Sequence, residues 1–506
     1  MSTTDTARPE RGDEVELNVE SLAFGGEGVA KLGAEGYVVF VAGAVPGDRV
    51  RAFVYKRKRA YAHARAVEIL EPSPERIAPK ADHPGVPWQV LPYERQLEIK
   101  RDQVGEALRR LGHLDDFELE PIVPALEQWR YRNKLEYSFG TGPGGELVCG
   151  FHAPAAGRRV VAIEDCLLAS EIGNRARECA LAWCRARGLS AWEREGRRGL
   201  GAAAEEAHGE VPEAGERDRG AGGKRKGRGA RRTSGRVGAA PDGRPLLRNL
   251  VVREGRRTGK LQVRLVTTDG ELDAGELALA LADALGERLS GVLWTRSGSL
   301  AETTAGGETE LVWGAEELPE RLGDLELQIS AEAFFQTNTE MAEVLYGFVS
   351  EYVALSGWER VFDLYCGIGT IALTLAPKAG ELFGIELIER AVADAIAGAA
   401  RNGVPNAKFF AGDTRLALPE LVGRAGRPDV LVVDPPRAGL SKKVVRRIVE
   451  ASPKRIVYVS CNPTTLAPNA ADLVEAGWTL TRVRPVDMFP QTHHIEAVAV
   501  FERDAG

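Results

Sequence analysis

Cysteine is scarce in this chain. Cys149, Cys166, Cys179, Cys184, Cys366 and Cys461 are the six in 506 residues, and no Cys-x-x-Cys pair occurs. So long and thiol-poor a chain is not a disulfide scaffold, and a reducing, cytoplasmic setting is expected. Long hydrophobic runs are missing as well. None approaches the roughly 18 residues that cross a bilayer, and the opening "MSTTDTARPERGDEVEL" has no apolar signal core. No membrane partner is expected. Nor is there an excess of positive charge. The net charge is −7, so any grip on nucleic acid has to come from local basic patches rather than from the whole molecule. Hydrophobic residues make up 44% of the chain, enough for several cores.

The composition changes along the chain. Residues 1–12 read as a disordered N-terminus. Residues 13–71 carry β-branched and aromatic runs broken by Gly-Gly, Gly-Ala-Glu-Gly and Pro-Gly turns, the spacing of a small barrel. Its later strands place Lys56, Arg57, Lys58 and Arg59 among Phe53, Tyr55 and Tyr61. Cations beside aromatics suit single-stranded nucleic acid; they equally suit an edge strand protected from aggregation. A Pro-rich linker (71–87) leads to a helix over Tyr93–Leu111. Residues 72–192 and 246–330 mix helices and strands as a central α+β domain. Between them, 193–245 is rich in Gly and charge and too poor in large apolar residues to offset the entropy of ordering, so disorder is expected.

From 331 onward the pattern is α/β. Met341, Val344, Leu345 and Phe348 mark one face of a helix. Apolar strands then alternate with helices, as in a doubly wound, Rossmann-like sheet, where ligands sit at the carboxyl ends of the strands. "VFDLYCGIGTIALTLA" (361–376) is a strand, a turn with Gly367 and Gly369, and a helix. Glu386 ends the next strand, 19 residues after Gly367, the place of an acid that holds ribose hydroxyls. Asp413 ends the third strand, where a carboxylate can meet an adenine amino group. The glycines fall short of the full dinucleotide fingerprint, which favours S-adenosylmethionine over NAD. Cys366 reads as a small packing residue.

The reactive candidates come later. Asp434 closes the fourth strand, ahead of Pro435, Pro436 and Arg437. Cys461 closes the fifth and precedes Pro463, which suits a first helical turn. A thiol at such a place is either buried filler or a nucleophile whose pKa the helix terminus lowers. Glu496 starts the last apolar strand beside His493 and His494. It is a strand cap or a proton acceptor held over the site. The paired histidines lack a partner cluster, so no metal is expected.

Five stretches in order, "FFQTN", "DLYCGIGT", "DPPRAGL", "SCNP" and "MFPQTHHIEAV", resemble the RNA (uracil-5-)-methyltransferases, which act on tRNA or 23S rRNA. "GGEGVAKLGAEGYVVFVAGAVPGDRV" looks like the TRAM domain of rRNA-type members, an OB-like barrel, and "WRYRNKLEYSFG" resembles the central-domain signature. The resemblance implies that Gln336, Tyr365, Glu386 and Asp434 contact S-adenosylmethionine, that Cys461 is the nucleophile and Glu496 the base, and that Arg132 lies near RNA. It tilts the acceptor towards 23S rRNA over tRNA. Cytosine-5 methylation is the nearest alternative, but "DPPR" stands where those enzymes usually show Pro-Cys. A non-catalytic RNA-binding assembly factor is the alternative from another class. Many relatives hold a [4Fe–4S] cluster. Here His83 and Val86 stand where two of its cysteines would fall, and Cys166 looks like an orphaned fourth ligand. One thiolate cannot hold a cluster that needs four, so no iron–sulfur centre is expected.

Overall fold

The computed structural model describes residues 8–33, 35–153, 159–193, 240, 242–301 and 303–503. Of the stretches expected to be disordered, 1–12 and 193–245, residues 1–7, 194–239 and 241 lie outside these; the end of the second is ordered, Ala240 N–H donating to Arg244 O at 2.8 Å. Among the described residues no helix is long and apolar enough to cross a membrane.

Strands β1 (Glu14–Leu22), β2 (Gly28–Leu32), β3 (Tyr37–Ala42), β4 (Arg49–Arg57) and β5 (Tyr61–Glu71) close a barrel in the order β1-β2-β3-β5-β4. Alternation explains it. Val39, Val41, Val50, Ala52, Val54, Ala62 and Ala64 point inward and are fully buried, as a two-residue period requires. Residues 8–12 depart from the expectation of disorder. Gly12 N–H donates to the Val54 carbonyl at 2.9 Å, and Arg8 pairs with Glu35 at 3.3 Å. The Pro-rich linker is packed rather than loose. The buried Asp48 carboxylate accepts from Val45 N, Ser73 N and the Arg76 guanidinium, all within 2.9 Å.

Helix α1 (Tyr93–Gly112) and strand β6 (Glu118–Leu119) follow. Both depart from the expected central-domain assignment. Val104, Ala107 and Leu108 on α1 share one apolar cluster with Leu466, Ala467 and Ala470 far along the chain. β6 becomes the last strand of the C-terminal sheet. The central sheet is built from β7 (Lys134–Thr141), β8 (Leu147–His152), β9 (Val160–Ala162), helix α2 (Glu171–Ala186), β10 (Leu247–Gly255), β11 (Lys260–Thr267), helix α3 (Ala274–Leu285), β12 (Leu289–Arg296) and β13 (Glu308–Gly314). Its strand order is β13-β12-β11-β10-β7-β8-β9, with α2 and α3 packed against each other. The hairpin β14 (Leu318–Leu322) and β15 (Leu325–Ile329) was also expected in that domain. Leu318, Leu322, Leu327 and Ile329 instead join the core of the C-terminal domain.

That domain alternates up to its last two strands: α4 (Thr339–Val353), β16 (Arg360–Leu364), α5 (Thr370–Leu375), β17 (Glu381–Glu386), α6 (Glu389–Arg401), β18 (Ala407–Ala411), α7 (Thr414–Ala425), β19 (Val430–Val433), α8 (Lys442–Ala451), β20 (Arg455–Ser460), α9 (Pro463–Glu475), β21 (Thr479–Val486) and β22 (Glu496–Glu502). The sheet order is β18-β17-β16-β19-β20-β22-β21-β6. β22 runs antiparallel between β20 and β21. The order reverses between β16 and β19, and a crevice opens at such a switch point.

Candidate active site

The turn after β16 is held in an unusual backbone state. Tyr365 has φ 64, which a bulky residue avoids unless its surroundings impose it; its N–H donates to Ile385 O at 2.9 Å. Gly367 and Gly369 also have positive φ but different surroundings. A Cβ on Gly367 would meet nothing within 4 Å, whereas one on Gly369 would lie 2.9 Å from the Phe409 ring. Gly367 therefore faces open space and Gly369 serves packing. Gly367 N–H donates to Glu386 Oε2 at 3.1 Å, and Glu386 Oε1 accepts from Leu387 N and Ile388 N. The acid is thus fixed, and its chain neighbour Leu387 lines a cleft of about 290 Å³ together with Tyr365, Asp413, Thr414 and Ser441. Leu387 and Ile388 stay exposed beside it. An oriented acid, open backbone and uncovered apolar side chains fit a nucleoside. Asp413 is committed elsewhere. It caps α7, and the Arg415 guanidinium beside it holds its carboxyl down at about 2. Gln336 is buried in the loop before α4, its carbonyl accepting from Asn133 at 2.8 Å.

The reactive residues come together by strand register. Ser460 pairs with Ala497 across the β20–β22 ladder. Extending that antiparallel pairing by one residue sets Cys461 opposite Glu496. Asp434, one residue past β19, is the third member: Glu496 and Asp434 both act on the Cys461 thiol, and Arg437 opposes them. Asn462, the cap of α9, donates to the Arg437 carbonyl at 2.9 Å, tying the two loops.

Electrostatics correct one expectation. The helix terminus does not make Cys461 a resting thiolate. Burial first, then the two carboxyls, push its pKa up to about 12. Burial also lifts Asp434 to about 7 and Glu496 well above its ordinary value. Taking a charge out of water costs more here than one helix end returns. Burial therefore biases all three groups towards their protonated forms, with Arg437 the cation acting on Cys461 and Glu496. Asp363 is completely buried too, and its pKa is raised by burial and then by Asp434, against a smaller opposing effect of the Ala372 backbone.

The segment 487–494 carries the chain into Glu496 and is clamped from several sides. Lys100 Nζ meets Asp487 Oδ1 at 2.6 Å with both side chains fully buried, and donates to Phe489 O at 3.0 Å. Gln96 and Gln491 exchange two hydrogen bonds. Tyr131 donates to Pro490 O, and Asn338 to Met488 O. Arg132 lies over the Phe489 ring at 5.5 Å, and that ring meets His494 edge-on. Burial brings His493 to about 4 and His494 to about 3, so both are neutral. Lys56, Arg57, Lys58 and Arg59 lie at the end of β4 and the β4–β5 turn of the barrel. His83 and Cys166, far apart in sequence, meet in a buried contact of 3.3 Å. Among the described residues no three His, Cys, Asp or Glu side chains converge as a metal site would need.

Sequence reasoning passed over Arg437, Asp363 and the Lys100–Asp487 pair. Arg437 carried a signal, its place just after Asp434-Pro-Pro. Asp487 and Lys100 are 387 positions apart, and no local pattern joins them.

The family profile described as tRNA (Uracil-5-)-methyltransferase matches residues 424–504, and that of the TRAM domain matches 8–67. An uncharacterized RNA methyltransferase of Halalkalibacterium halodurans is 32% identical over 498 residues, 97% of this chain and 97% of the relative. Another, of Chlorobaculum tepidum, is 34% identical over 98% of each chain. The crystal structure of Pyrococcus abyssi tRNA (uracil-54, C5)-methyltransferase in complex with S-adenosyl-L-homocysteine superimposes with a TM-score of 0.67 at 25% identity, covering 96% of this chain and 100% of that one. This chain belongs to the RNA (uracil-5-)-methyltransferase family, with a TRAM domain at its N-terminus and S-adenosylmethionine as its cofactor.

Proposed function

We propose that the protein methylates carbon 5 of one uridine in 23S rRNA through a covalent bond between Cys461 and carbon 6 of the base. The placement of Cys461 opposite Glu496, beside Asp434, carries this reading. Carbon 5 of uracil is a poor nucleophile. Sulfur adding to carbon 6 pushes the C5=C6 electron pair onto carbon 5 and the adjoining carbonyl, and carbon 5 becomes able to attack a methyl group. Glu496, as carboxylate, then takes the carbon-5 proton. The C5=C6 bond re-forms, and sulfur leaves as thiolate and regains the proton it gave up on attack, so one proton, that of carbon 5, is released overall. General-base help of this kind is typically worth ~10²–10⁴ in rate.

S-adenosylmethionine supplies the electrophilic methyl and a positive sulfonium. Glu386 is placed for its ribose hydroxyls, and Gly367 gives it a close backbone approach. Tyr365, Asp413, Gln336 and Asp434 form the remaining wall, and Gly369, expected beside the cofactor, packs on Phe409 instead. Asp413 reaches an adenine only by sharing its carboxylate with Arg415. The target base has to leave its stack to enter, with Arg132 and the Lys56–Arg59 cluster gripping the flanking strand.

The experiment is incubation of Glu496→Gln with labelled RNA and cofactor, followed by a denaturing gel. A protein–RNA adduct that needs Cys461 is expected, because elimination stalls. Product release at the normal rate would overturn the base assignment. The TRAM-like barrel supports 23S rRNA. The Pyrococcus abyssi tRNA enzyme, which matches along nearly all of this chain, supports tRNA as the second reading. Mapping 5-methyluridine in both RNAs, with and without the protein, separates them.

A further inference from the structure

One face of the barrel carries a cluster of rings that the reaction does not use. Phe40 on β3, Tyr61 and His63 on β5 and Tyr55 on β4 all point outward, partly or largely exposed. Their centroids lie 5.3–6.1 Å apart. The rings of Phe40, His63 and Tyr55 lie within about 30° of one another in successive pairs, and Tyr61 stands edge-on. Glu27 fixes the set by accepting from His63 Nδ1 at 3.1 Å and from the Tyr55 hydroxyl at 3.4 Å. Four neighbouring rings on a barrel surface have no packing reason to be there, because the inward positions already fill the core.

Two further observations name the occupant. The rings adjoin the exposed Arg57, Lys58 and Arg59 at the β4–β5 turn, a charge set that suits a polyanion. The strip is also continuous with the catalytic loop. Residue 26, next to Glu27, is so close to His493 that a Cβ there would lie 3.0 Å from its side chain. Phe24 packs into the C-terminal core, and Leu22 O accepts from Gln103 at 3.0 Å. The β1–β2 turn thus fixes the ring strip beside the loop that leads to Glu496.

We propose that Phe40, Tyr55, Tyr61 and His63 form a stacking platform for unpaired RNA bases flanking the target uridine. This rests on the RNA reading above and adds a base-dependent, charge-independent share of binding. Stacking is worth roughly a 5- to 100-fold change in affinity per base. It releases no counterions, so it leaves the salt slope untouched, unlike a phosphate contact.

The test uses the full-length protein and a fluorescent single-stranded uridine-containing oligoribonucleotide, with a twin carrying abasic sites on either side of the uridine. Tyr61→Ala and Phe40→Ala are expected to lose about 10-fold or more for the intact oligonucleotide, with an unchanged slope of log affinity against log salt. Tyr61→Phe is expected to bind normally, and the abasic twin to bind wild type and Tyr61→Ala alike. Retained S-adenosylmethionine affinity shows that each variant is folded. Equal affinities for wild type and both alanine variants would overturn the platform, as would a loss that appears only as a flatter salt slope. Failure of methyl transfer with intact, base-dependent binding would sink the catalytic reading and leave the platform standing.

Discussion

Replacing Asp434 by Asn tests the electrostatics of the cleft through the stability of the ligand-free protein. Burial lifts this carboxyl from 3.8 to about 7. In the unfolded chain it ionises near pH 4; in the folded protein it keeps its proton to about pH 7. Over that window the folded state binds more protons, so stability falls as pH rises. Below pH 4 both states are protonated and the term vanishes. Above pH 7 it is fully present, and three pKa units correspond to at most about 4 kcal/mol. Asn keeps the shape and cannot ionise. Glu496 and Asp363 are raised in part by Asp434, so their relief adds in the same direction. Urea unfolding followed by tryptophan fluorescence is expected to show nearly equal midpoints at pH 4.5 and a more resistant variant at pH 8. S-adenosylmethionine affinity is expected to move the other way, since a cleft built for a cation gives up stability for function. The reasoning fails if wild type and Asp434→Asn show the same pH dependence, or if the variant is the weaker at pH 8.

The raised thiol pKa predicts that iodoacetamide modifies Cys461 far more slowly than a small free thiol at pH 8. Peptide mass spectrometry showing equal rates would restore the resting thiolate. Lys100→Met strands the Asp487 carboxylate in the interior with only the Tyr93 hydroxyl and Phe489 N–H. A loss of about 3–5 kcal/mol in chemical denaturation is expected, with partial recovery in Lys100→Met/Asp487→Asn; no recovery would mean that the pair is not coupled. Gly369→Ala adds a clash with Phe409 to a backbone strain of about 1–2 kcal/mol, whereas Gly367→Ala carries the strain alone. Calorimetry is expected to find the larger stability loss at 369 and the larger loss of cofactor affinity at 367. The opposite ranking would reverse their assigned jobs. His493 and His494 stay neutral down to about pH 4 while the unfolded chain protonates near 6.5. Stability is therefore expected to fall as pH drops from 6.5 to 4, and His494→Gln is expected to weaken that fall in an acid titration followed by circular dichroism.

Much of this was legible locally. β-branched and aromatic runs broken by glycine and proline turns marked the barrel, and the strand–turn–helix around Gly367 marked the cofactor end of the sheet. In both cases a short period in sequence maps directly onto one face of an element. The domain edges were less legible. α1 carries an ordinary amphipathic pattern, which says that a face will be buried without saying against what, and β6, two residues long, is too short to carry any. Their partners lie on α9 and β21, more than 350 residues later. Nor does a sequence display the depth of a site. Cys461 before a helix reads as filler or as an activated thiol until burial and two neighbouring carboxyls are counted.

The sequence by itself determined which chemical groups stand at which strand ends: a thiol at 461, acids at 386, 434 and 496, and open backbone at 367. Strand ends follow from local hydrophobic runs and turns, and the switch of order in an open sheet gathers them on one edge. Only the tertiary structure decided that 461 and 496 are opposite one another, that burial in their shared pocket raises both pKa values, and that the barrel's rings abut the loop delivering Glu496. Those facts depend on long-range register and on how far water is excluded, and neither property belongs to any single stretch of the chain.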